Sequence, residues 1–458
     1  MLPCVWIAIT LFPLRLKAGP EFQVLYSKPL AVYVFVKKLN SEQATNGFRQ
    51  LFDTSRFATT IAKEKLKVFG ELCLDYSYSY EEYPYGSKVM GMTEALLKKN
   101  MIASATVSEF RIRSIGMIPN ETLYQLCDIL SYFEPIYQSL VYDKYGAGFE
   151  NQMKEIAKGV SGEGVPDCFE KATMFYGTTW NKEVPFQICL YPLPLSKGFS
   201  AEALYNQAVC GVPSDVNKEV LLSVMLHEVF HMLYDEQSLQ LKKDLSTWFS
   251  SQSSDCRQYA YLLLNEVLAT AIGNGYSYKR LTGKIDEGDW YDWPYINLMA
   301  KKLYPMVADY LQHGRSMDKA FVTSYINLYE TNFKTWLQEP RHTFCFRAVL
   351  SDNRKDLELV ASRYPNCSLS ESQTEISNSS IEQMMSRPLT KLIIISNDHE
   401  KQINLLKQFV PELRTITLDP KKESVRRLFL KDKTNLYLVI QHQSSTGQML
   451  DKLEEGVR

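Results

Sequence analysis

Residues 221–234 (LLSVMLHEVFHMLY) constrain the fold most, because they place two histidines in an apolar run that predicts a buried helix. Side chains four positions apart lie on one face of an α-helix, so His227 and His231 can direct imidazole nitrogens at one ion. Two histidines buried on one face need a shared partner, since burying an unpaired imidazole is costly. Glu228 lies about 100° around the helix from His227. The pattern predicts a metal site, with zinc as the expected ion and Glu228 as a general base.

A catalytic zinc site usually has three protein ligands and an open position, so a third ligand is expected elsewhere. The metzincin continuation is excluded, because Tyr234 and Gln237 stand where its glycine and third histidine would be. Asp235 is a full turn further along the same helix, too far to close the site. Residues 259–275 (YAYLLLNEVLATAIGNG) predict a second apolar helix with one carboxylate in its middle, Glu266. A lone glutamate in an apolar helix needs a partner, and a metal supplies one.

The motif HEVFH followed by NEVLA, which runs from Asn265 to Ala269, resembles the gluzincin class of zinc metallopeptidases, the thermolysin and aminopeptidase N type. The resemblance covers residues 186–333 and implies one zinc ion per chain. Three ligands and one general base are carried over from the family's motifs: His227, His231, Glu266 and Glu228.

The chain departs from the family's pattern in two places. The gap between His231 and Glu266 is longer than in familiar members, which implies an inserted helix and loop. Thr270 stands where thermolysin-like enzymes have an aspartate that orients a histidine, so the residues behind the ligands are left open.

Peptidases of this kind place a tyrosine or histidine donor opposite the base, where it stabilises the developing oxyanion. Tyr291, Tyr295 and Tyr276 are candidates, and Tyr295 is our first choice because it opens a helix in an aromatic cluster. Ordinary aromatic packing is the alternative for each of them. His313 lies in a polar Gln-His-Gly-Arg turn, which favours a solvated surface histidine.

The sequence predicts an α+β protein with a helix-dominated, thermolysin-like metallopeptidase lobe, an α/β lobe before it and a small α/β domain at the C-terminal end. The expected boundaries are a candidate signal peptide at 1–19, an N-terminal α/β lobe at 20–160, the zinc metallopeptidase lobe at 161–364, a Ser/Asn-rich linker at 365–388 and the small domain at 389–458.

Local patterns predict further elements. Strands are expected at 30–36, 105–118, 186–192 and 208–213, and helices at 41–71, 120–140 and 149–158. Helix caps are expected at Asn120, at Ser214 or Asp215, and at Asp255. In the resembled class an edge strand beside the metal helix pairs with extended substrate. The sequence leaves open whether 186–192 or 208–213 is that edge.

The N-terminal apolar run, residues 2–14, is too short to span a bilayer and suits the core of a signal peptide cut after Ala18 or Gly19. No Lys or Arg precedes the run, and Pro13 interrupts its end, so a buried N-terminal segment is the alternative. A signal would make the protein secreted or extracytoplasmic, and without one it would be cytoplasmic. No other stretch is apolar enough for a membrane span.

The net charge and the cysteine pattern disfavour other kinds of partner and metal site. The formal net charge of −1 gives no reason to expect nucleic acid or an acidic membrane as a partner. The 9 cysteines form no C-x-x-C pair, which disfavours a cysteine zinc site. Loss of Cys4 with the signal would leave an even number, compatible with disulfides, and free buried thiols are the alternative.

The function expected from these features is zinc-dependent hydrolysis of peptide bonds, with Glu228 taking a proton from the attacking water and a peptide or protein as substrate. One alternative is a zinc-containing binding protein without activity. Another is a zinc hydrolase that acts on a non-peptide bond. The presence of both histidines, Glu228 and Glu266 disfavours the inactive protein, because a degenerate site would be free to lose its base.

Overall fold

The computed structural model describes residues 21–40, 46–84, 88–162, 164–196, 198–215 and 217–456. The predicted signal peptide lies outside these residues. The described chain is a mixed α/β protein, 58% helical with several sheets, and is compatible with the predicted α+β class.

The N-terminal region is mainly helical. Its elements are β1 (Phe22–Tyr26), α1 (Lys28–Asn40), α2 (Gly47–Asp53), α3 (Thr60–Glu71), β2 (Ser77–Tyr78), β3 (Gly91–Met92), α4 (Thr93–Ile102), α5 (Val107–Arg113), α6 (Asn120–Tyr137) and α7 (Asp143–Val160). A π-helical turn, Gln138–Tyr142, joins α6 to α7. These helices share an apolar core with one face of the central sheet.

Two strand predictions in this region were wrong. Residues 30–36 lie within α1 and are buried on every side, so no polar face marks the helix and a short apolar run suits either structure. Residues 105–118 contain α5, whose cap Thr106 accepts a hydrogen bond from the Glu109 amide. The Glu109 carboxylate in turn accepts from the Ala105 amide. A Thr-x-x-Glu sequence is a helix-start signal that the sequence already carried.

The central sheet has the strand order β1-β4-β6-β5, with β4 (Phe186–Leu193), β5 (Ser200–Leu204) and β6 (Gln207–Pro213). β1, β4 and β6 are parallel, and β5 is antiparallel to β6. The predicted strands near 186 and 208 are confirmed, but neither is an edge. β5, which the sequence analysis did not predict, is an edge strand and packs beside the helix that carries His227 and His231, which we call the metal-motif helix.

The region that holds the motif is built from helices. They are α8 (Gly164–Tyr176), α9 (Lys218–Asp235), α10 (Leu239–Ser250), α11 (Arg257–Thr270), α12 (Tyr278–Thr282), α13 (Pro294–Gln312), α14 (Lys319–Phe333) and α15 (Pro340–Thr343). A π-helical segment, Ala271–Ser277, continues α11, and a 3-10 segment, Lys334–Gln338, follows α14. The helix and loop predicted between His231 and Glu266 are α10 and the residues that follow it.

The predicted helix caps were shifted by one to three residues. Asn217 caps α9, with its side chain accepting a hydrogen bond from the Val220 amide, whereas Ser214 and Asp215 lie before it. Cys256 precedes α11, without a side-chain cap. Asn120 is the first residue of α6 rather than its cap.

The C-terminal region is a small α/β unit, as predicted, and its sheet is mainly parallel. Its elements are β7 (Phe346–Ser351), α16 (Arg354–Arg363), β8 (Leu369–Gln373), α17 (Asn378–Ser386), β9 (Thr390–Ile395), α18 (His399–Phe409), β10 (Ser424–Phe429), β11 (Asn435–Ile440) and α19 (Thr446–Glu455). A 3-10 segment, Pro411–Thr415, follows α18. The strand order is β10-β11-β9-β7-β8, and only β10 is antiparallel to its neighbour.

The prediction of a linker at 365–388 was wrong, because this segment contains β8 and α17. β8 is an edge strand with alternating half-buried and exposed residues, so it needs little apolar sequence. The C-terminal sheet also begins at β7, well before the predicted boundary.

The C-terminal unit is joined to α11 by hydrogen bonds. The Tyr259 hydroxyl lies 2.7 Å from Thr390 Oγ1 and accepts from the Asn435 amide at 3.1 Å. Gln258 Nε2 donates to the Pro388 carbonyl. Apolar side chains of the C-terminal sheet and of α9 and α11 belong to one continuous core.

The cysteines from Cys73 to Cys367 are free thiols, which favours the thiol alternative for the described part of the chain. Within the described ranges, none of the helices is both long and apolar enough to cross a bilayer.

Candidate metal centre

The two helices that carry the predicted ligands pack against each other. His227 and His231 lie one turn apart on α9, and Glu266 lies on the facing side of α11. His227 is 6% exposed, while His231 and Glu266 are half-buried. The sequence places these side chains together because both helices bury more than half of their residues against the same core.

The π-helical segment after α11 approaches the first ligand closely. A Cβ atom on Gly273 would lie 2.8 Å from the Cα and 2.9 Å from the backbone nitrogen of His227. Any side chain there would therefore push α9 away from α11. Glycine at this position allows the two helices to bring their ligands together.

The ligand atoms converge within a few ångströms. His227 Nε2 lies 3.0 Å from Glu266 Oε1 and 2.9 Å from His231 Nε2. His231 Nε2 lies 3.4 Å from Glu266 Oε2. Tetrahedral ligands about 2.0–2.1 Å from a zinc ion would be about 3.3 Å apart. The three groups thus stand close to the spacing that a shared metal ion requires.

The protonation of His231 also suits the binding of a metal ion. His231 Nδ1 lies 3.1 Å from Asn265 Oδ1, and an amide oxygen accepts, so Nδ1 carries the proton. In the neutral ring Nε2 then has a lone pair, which points at His227 Nε2. Two imidazole nitrogens and a carboxylate that meet in this way need a proton or a metal ion between them. The residues present therefore fit a metal with nitrogen and oxygen ligands.

The electrostatics of the two carboxylates differ. Burial raises the pKa of Glu266, but the charge of His231 and hydrogen bonds to both histidines outweigh this and hold the pKa well below its usual value. Glu228 is 8% exposed, and burial raises its pKa while the two histidines oppose that rise. Glu266 is thus suited to stay ionised as a ligand, and Glu228 to exchange a proton.

Tyr291 is the tyrosine that the structure brings to the cluster. Its ring stacks on His227 with centroids 6.0 Å apart at 28°, and its hydroxyl lies near the Glu266 carboxylate. Burial, followed by the charge of Glu266, raises the pKa of Tyr291 well above its usual value. The phenol is therefore a protonated donor at the edge of the site.

The structure places Tyr295, the first choice from sequence, in a different environment. Its hydroxyl donates to Glu339, and its ring stacks on His342 at 4.7 Å. Trp293, Tyr329 and Trp336 also pack around His342; we call these five rings the aromatic cluster. Tyr295 lines a separate cavity of about 650 Å³ next to the C-terminal unit. Tyr295 opens a helix in an aromatic segment as expected, but its side chain lies in the aromatic cluster and not at the candidate ligands.

Two further sequence candidates also lie apart from the ligands. Tyr276 is hydrogen-bonded to Lys171. His313 is exposed, 67% by side chain, and pairs with Asp309. His313 is thus the surface histidine that its turn favoured.

Asn265, rather than Thr270, lies behind the ligands. Thr270 is fully buried, and its hydroxyl has no hydrogen-bond partner among the described residues. Asn265 contacts His231 Nδ1 and so fixes the orientation of that ring. Its place directly before Glu266 was visible in the sequence, but its contact depends on how α11 is rotated.

A cavity of about 590 Å³ lies beside the candidate metal ligands and is bordered by His231. It contains features that the sequence analysis missed. His231 and Asp235 line it from α9, and β5 with the following Tyr205 lines it from the edge of the sheet. Residues 88–92, which we call the strap, complete its wall. The Lys88–Asp235 ion pair joins residues 147 positions apart, so no local pattern marked it.

Comparison of the chain with protein-family models, curated proteins and solved structures gave no match. The interpretation of the site therefore depends on the arrangement of its own residues.

Proposed function

We propose that this chain is a zinc-dependent peptidase of the gluzincin type, and that residues 161–364 form its thermolysin-like lobe. The observation that carries the proposal is the convergence of His227, His231 and Glu266 beside a cavity bordered by an antiparallel edge strand. A nitrogen-rich site with one carboxylate is typical of zinc hydrolases.

Each residue at the site has a chemical role in this proposal. Zinc bound by the three ligands would polarise a substrate carbonyl and acidify water. Glu228 takes the proton of the attacking water and delivers it to the leaving amine as the C–N bond breaks. Tyr291, instead of Tyr295, donates a hydrogen bond to the developing oxyanion.

The edge strand gives the substrate a place to bind. β5 pairs with β6 on one side only, and its other edge borders the cavity that contains His231. An extended peptide adds to such an edge through main-chain hydrogen bonds. This supports a peptide rather than a compact small molecule as substrate.

The proposal is tested with a diverse peptide mixture, analysed by mass spectrometry. We expect wild-type protein to cleave peptides, a chelator to abolish cleavage and zinc to restore it. Glu228→Gln should keep zinc and lose about 10²–10⁴ of turnover, the usual contribution of a general base.

Three results would contradict parts of the proposal. Full turnover by Glu228→Gln would remove Glu228 from the mechanism. Bound zinc without cleavage of any peptide would favour a binding protein. Zinc-dependent hydrolysis of esters or amides, but not of peptides, would assign a different substrate class.

A further inference from the structure

A lysine occupies the acidic end of the cavity. Lys88 Nζ lies 2.6 Å from Asp235 Oδ2 and 3.6 Å from Glu236 Oε1, and it donates to the Asp235 carbonyl at 3.3 Å. The Tyr80 ring lies beside it, with the ammonium 5.7 Å from the ring centroid. Two carboxylates, a carbonyl and an aromatic face together form a site for a primary ammonium group.

The strap that presents Lys88 crosses the cavity. At one end, the Val89 amide donates to Asp235 Oδ1 at 2.7 Å. At the other end, the Met92 backbone lies near the Tyr205 hydroxyl. Tyr205 directly follows the edge strand and has a left-handed backbone, φ 55°. The strap therefore extends from the end of the metal-motif helix to the end of β5.

The lysine site is close to the proposed reaction centre. Asp235 is four residues beyond His231 on α9, about 6 Å along the helix axis. Both residues line the same cavity. A peptide that extends along β5 with its reacting carbonyl at the ligands would place a neighbouring side chain near Asp235.

The charges that line the cavity favour a cationic group. The acidic lining residues are Asp75, Glu94, Glu202, Asp235 and Glu236, and the basic ones are Lys88 and Lys98. Lys98 is already paired with Glu94 and Glu202. Displacement of Lys88 would leave Asp235 and Glu236 facing the cavity without it.

We propose that Asp235 and Glu236 form a subsite for a lysine or arginine side chain of the substrate, and that Lys88 occupies this subsite until the substrate displaces it. The inference depends on the proposed peptidase function and names its substrate class as peptides with a basic residue near the cleaved bond.

The test compares two peptide series that differ in a single group. Short fluorescent peptides carry lysine at each position in turn, or norleucine, which has a similar aliphatic chain without the ammonium. Binding to zinc-loaded Glu228→Gln protein is measured by fluorescence anisotropy, and cleavage by wild type is measured separately. We expect the best lysine peptide to bind about tenfold more tightly than its norleucine partner.

Variants then assign the preference to the subsite. Asp235→Asn should remove the preference for lysine. Lys88→Met should strengthen binding of the lysine peptide about fivefold, because the competing group is gone. Lys67→Met, which removes an exposed lysine on α3, serves as the matched control and should leave both affinities unchanged. Thermal melting checks that each variant is folded.

The outcomes separate this inference from the proposed function. Cleavage with equal affinity for lysine and norleucine peptides would overturn the subsite and leave the peptidase intact. Asp235-dependent lysine binding without cleavage would support the subsite and contradict the peptidase. If Lys88→Met weakens both peptides equally and lowers the melting temperature, Lys88 is a structural tether and the inference is wrong. Absence of all peptide binding in folded Lys88→Met would show that Lys88 is needed for binding and would overturn the inference.

Discussion

Buried histidines occur in two regions of this molecule, and their surroundings act on them in opposite directions. At the metal centre, burial lowers the pKa of His231, but the charge and hydrogen bond of Glu266 outweigh it and raise the pKa to about 9. In the aromatic cluster, burial alone lowers the pKa of His342 to about 3. Without a metal ion, Glu266 thus favours the protonated form of His231, whereas burial keeps His342 neutral.

This difference shows which observation identifies a ligand. His342 is fully buried, and Tyr329 lies 2.7 Å from its Nε2. The ring is otherwise surrounded by aromatic side chains rather than by groups that bind metal. A buried histidine can therefore be a core residue. The convergence of His227, His231 and Glu266 is the feature that favours a metal site.

The largest expected effect is on zinc affinity, and it is tested by replacing one carboxylate in each of the two regions. Glu266→Gln takes away a charged ligand, so we expect zinc affinity to fall by more than about 100-fold. Glu339→Gln makes the same change beside Tyr295 and should leave zinc binding intact. Zinc per chain by mass spectrometry and competition with a chromophoric chelator measure both. Equal affinity in the two variants would mean that another residue completes the site.

The second test uses the pH dependence of stability. Below pH 6.5 the unfolded chain protonates His342, whereas the folded chain does not until about pH 3. The unfolded state therefore binds more protons in this window, and the free energy of unfolding falls as pH decreases, by up to about 4 kcal/mol from this residue. Urea denaturation between pH 7.5 and 4 measures the fall.

His342→Gln is the control for that experiment, because it keeps an acceptor for Tyr329 and does not titrate. Its unfolding free energy should change less between pH 7.5 and 4 than that of wild type. The residues of the candidate metal centre are the same in both proteins, so the difference between the curves isolates His342. Parallel curves would show that His342 is not held neutral in the folded state.

A third comparison uses the two tyrosines. Tyr291→Phe removes the hydroxyl beside Glu266, and we expect kcat to fall about 10²–10³-fold with zinc retained, as for loss of an oxyanion donor. Tyr295→Phe removes the hydroxyl bonded to Glu339 and should leave kcat within about twofold, because it lies in the aromatic cluster. A larger loss with Tyr295→Phe would reverse the assignment.

How much the sequence could predict depended on whether a feature was local. The spacing of His227 and His231 fixes a shared helix face, and the apolar run around Glu266 required a partner, so the members of the cluster could be named. Tyr291 and Tyr295 could not be ranked, since both lie in one aromatic segment. Only the three-dimensional packing of that segment places one at His227 and the other at Glu339.

The fold errors have the same origin. Residues 30–36 are buried on all sides, so their pattern contained no period that distinguishes helix from strand. β8 and α17 are polar because they lie at the edge of the C-terminal sheet and its surface. The Lys88–Asp235 pair depends on how the N-terminal region packs on α9. Such long-range contacts have no local signature.

The smallest effect should distinguish Asn265 from Thr270. Asn265 contacts His231 Nδ1, whereas the Thr270 hydroxyl is buried without a partner. We expect Asn265→Ala to weaken zinc binding about 10- to 100-fold, because the ring of His231 loses the group that orients it. Thr270→Val preserves shape and removes only an unsatisfied hydroxyl, so zinc affinity should stay within about twofold and stability should not fall. Chelator competition and thermal melting measure both variants. If Thr270→Val were the one to lose zinc, the threonine would take the place of the family's aspartate, and the site would be closer to the thermolysin arrangement than its contacts indicate.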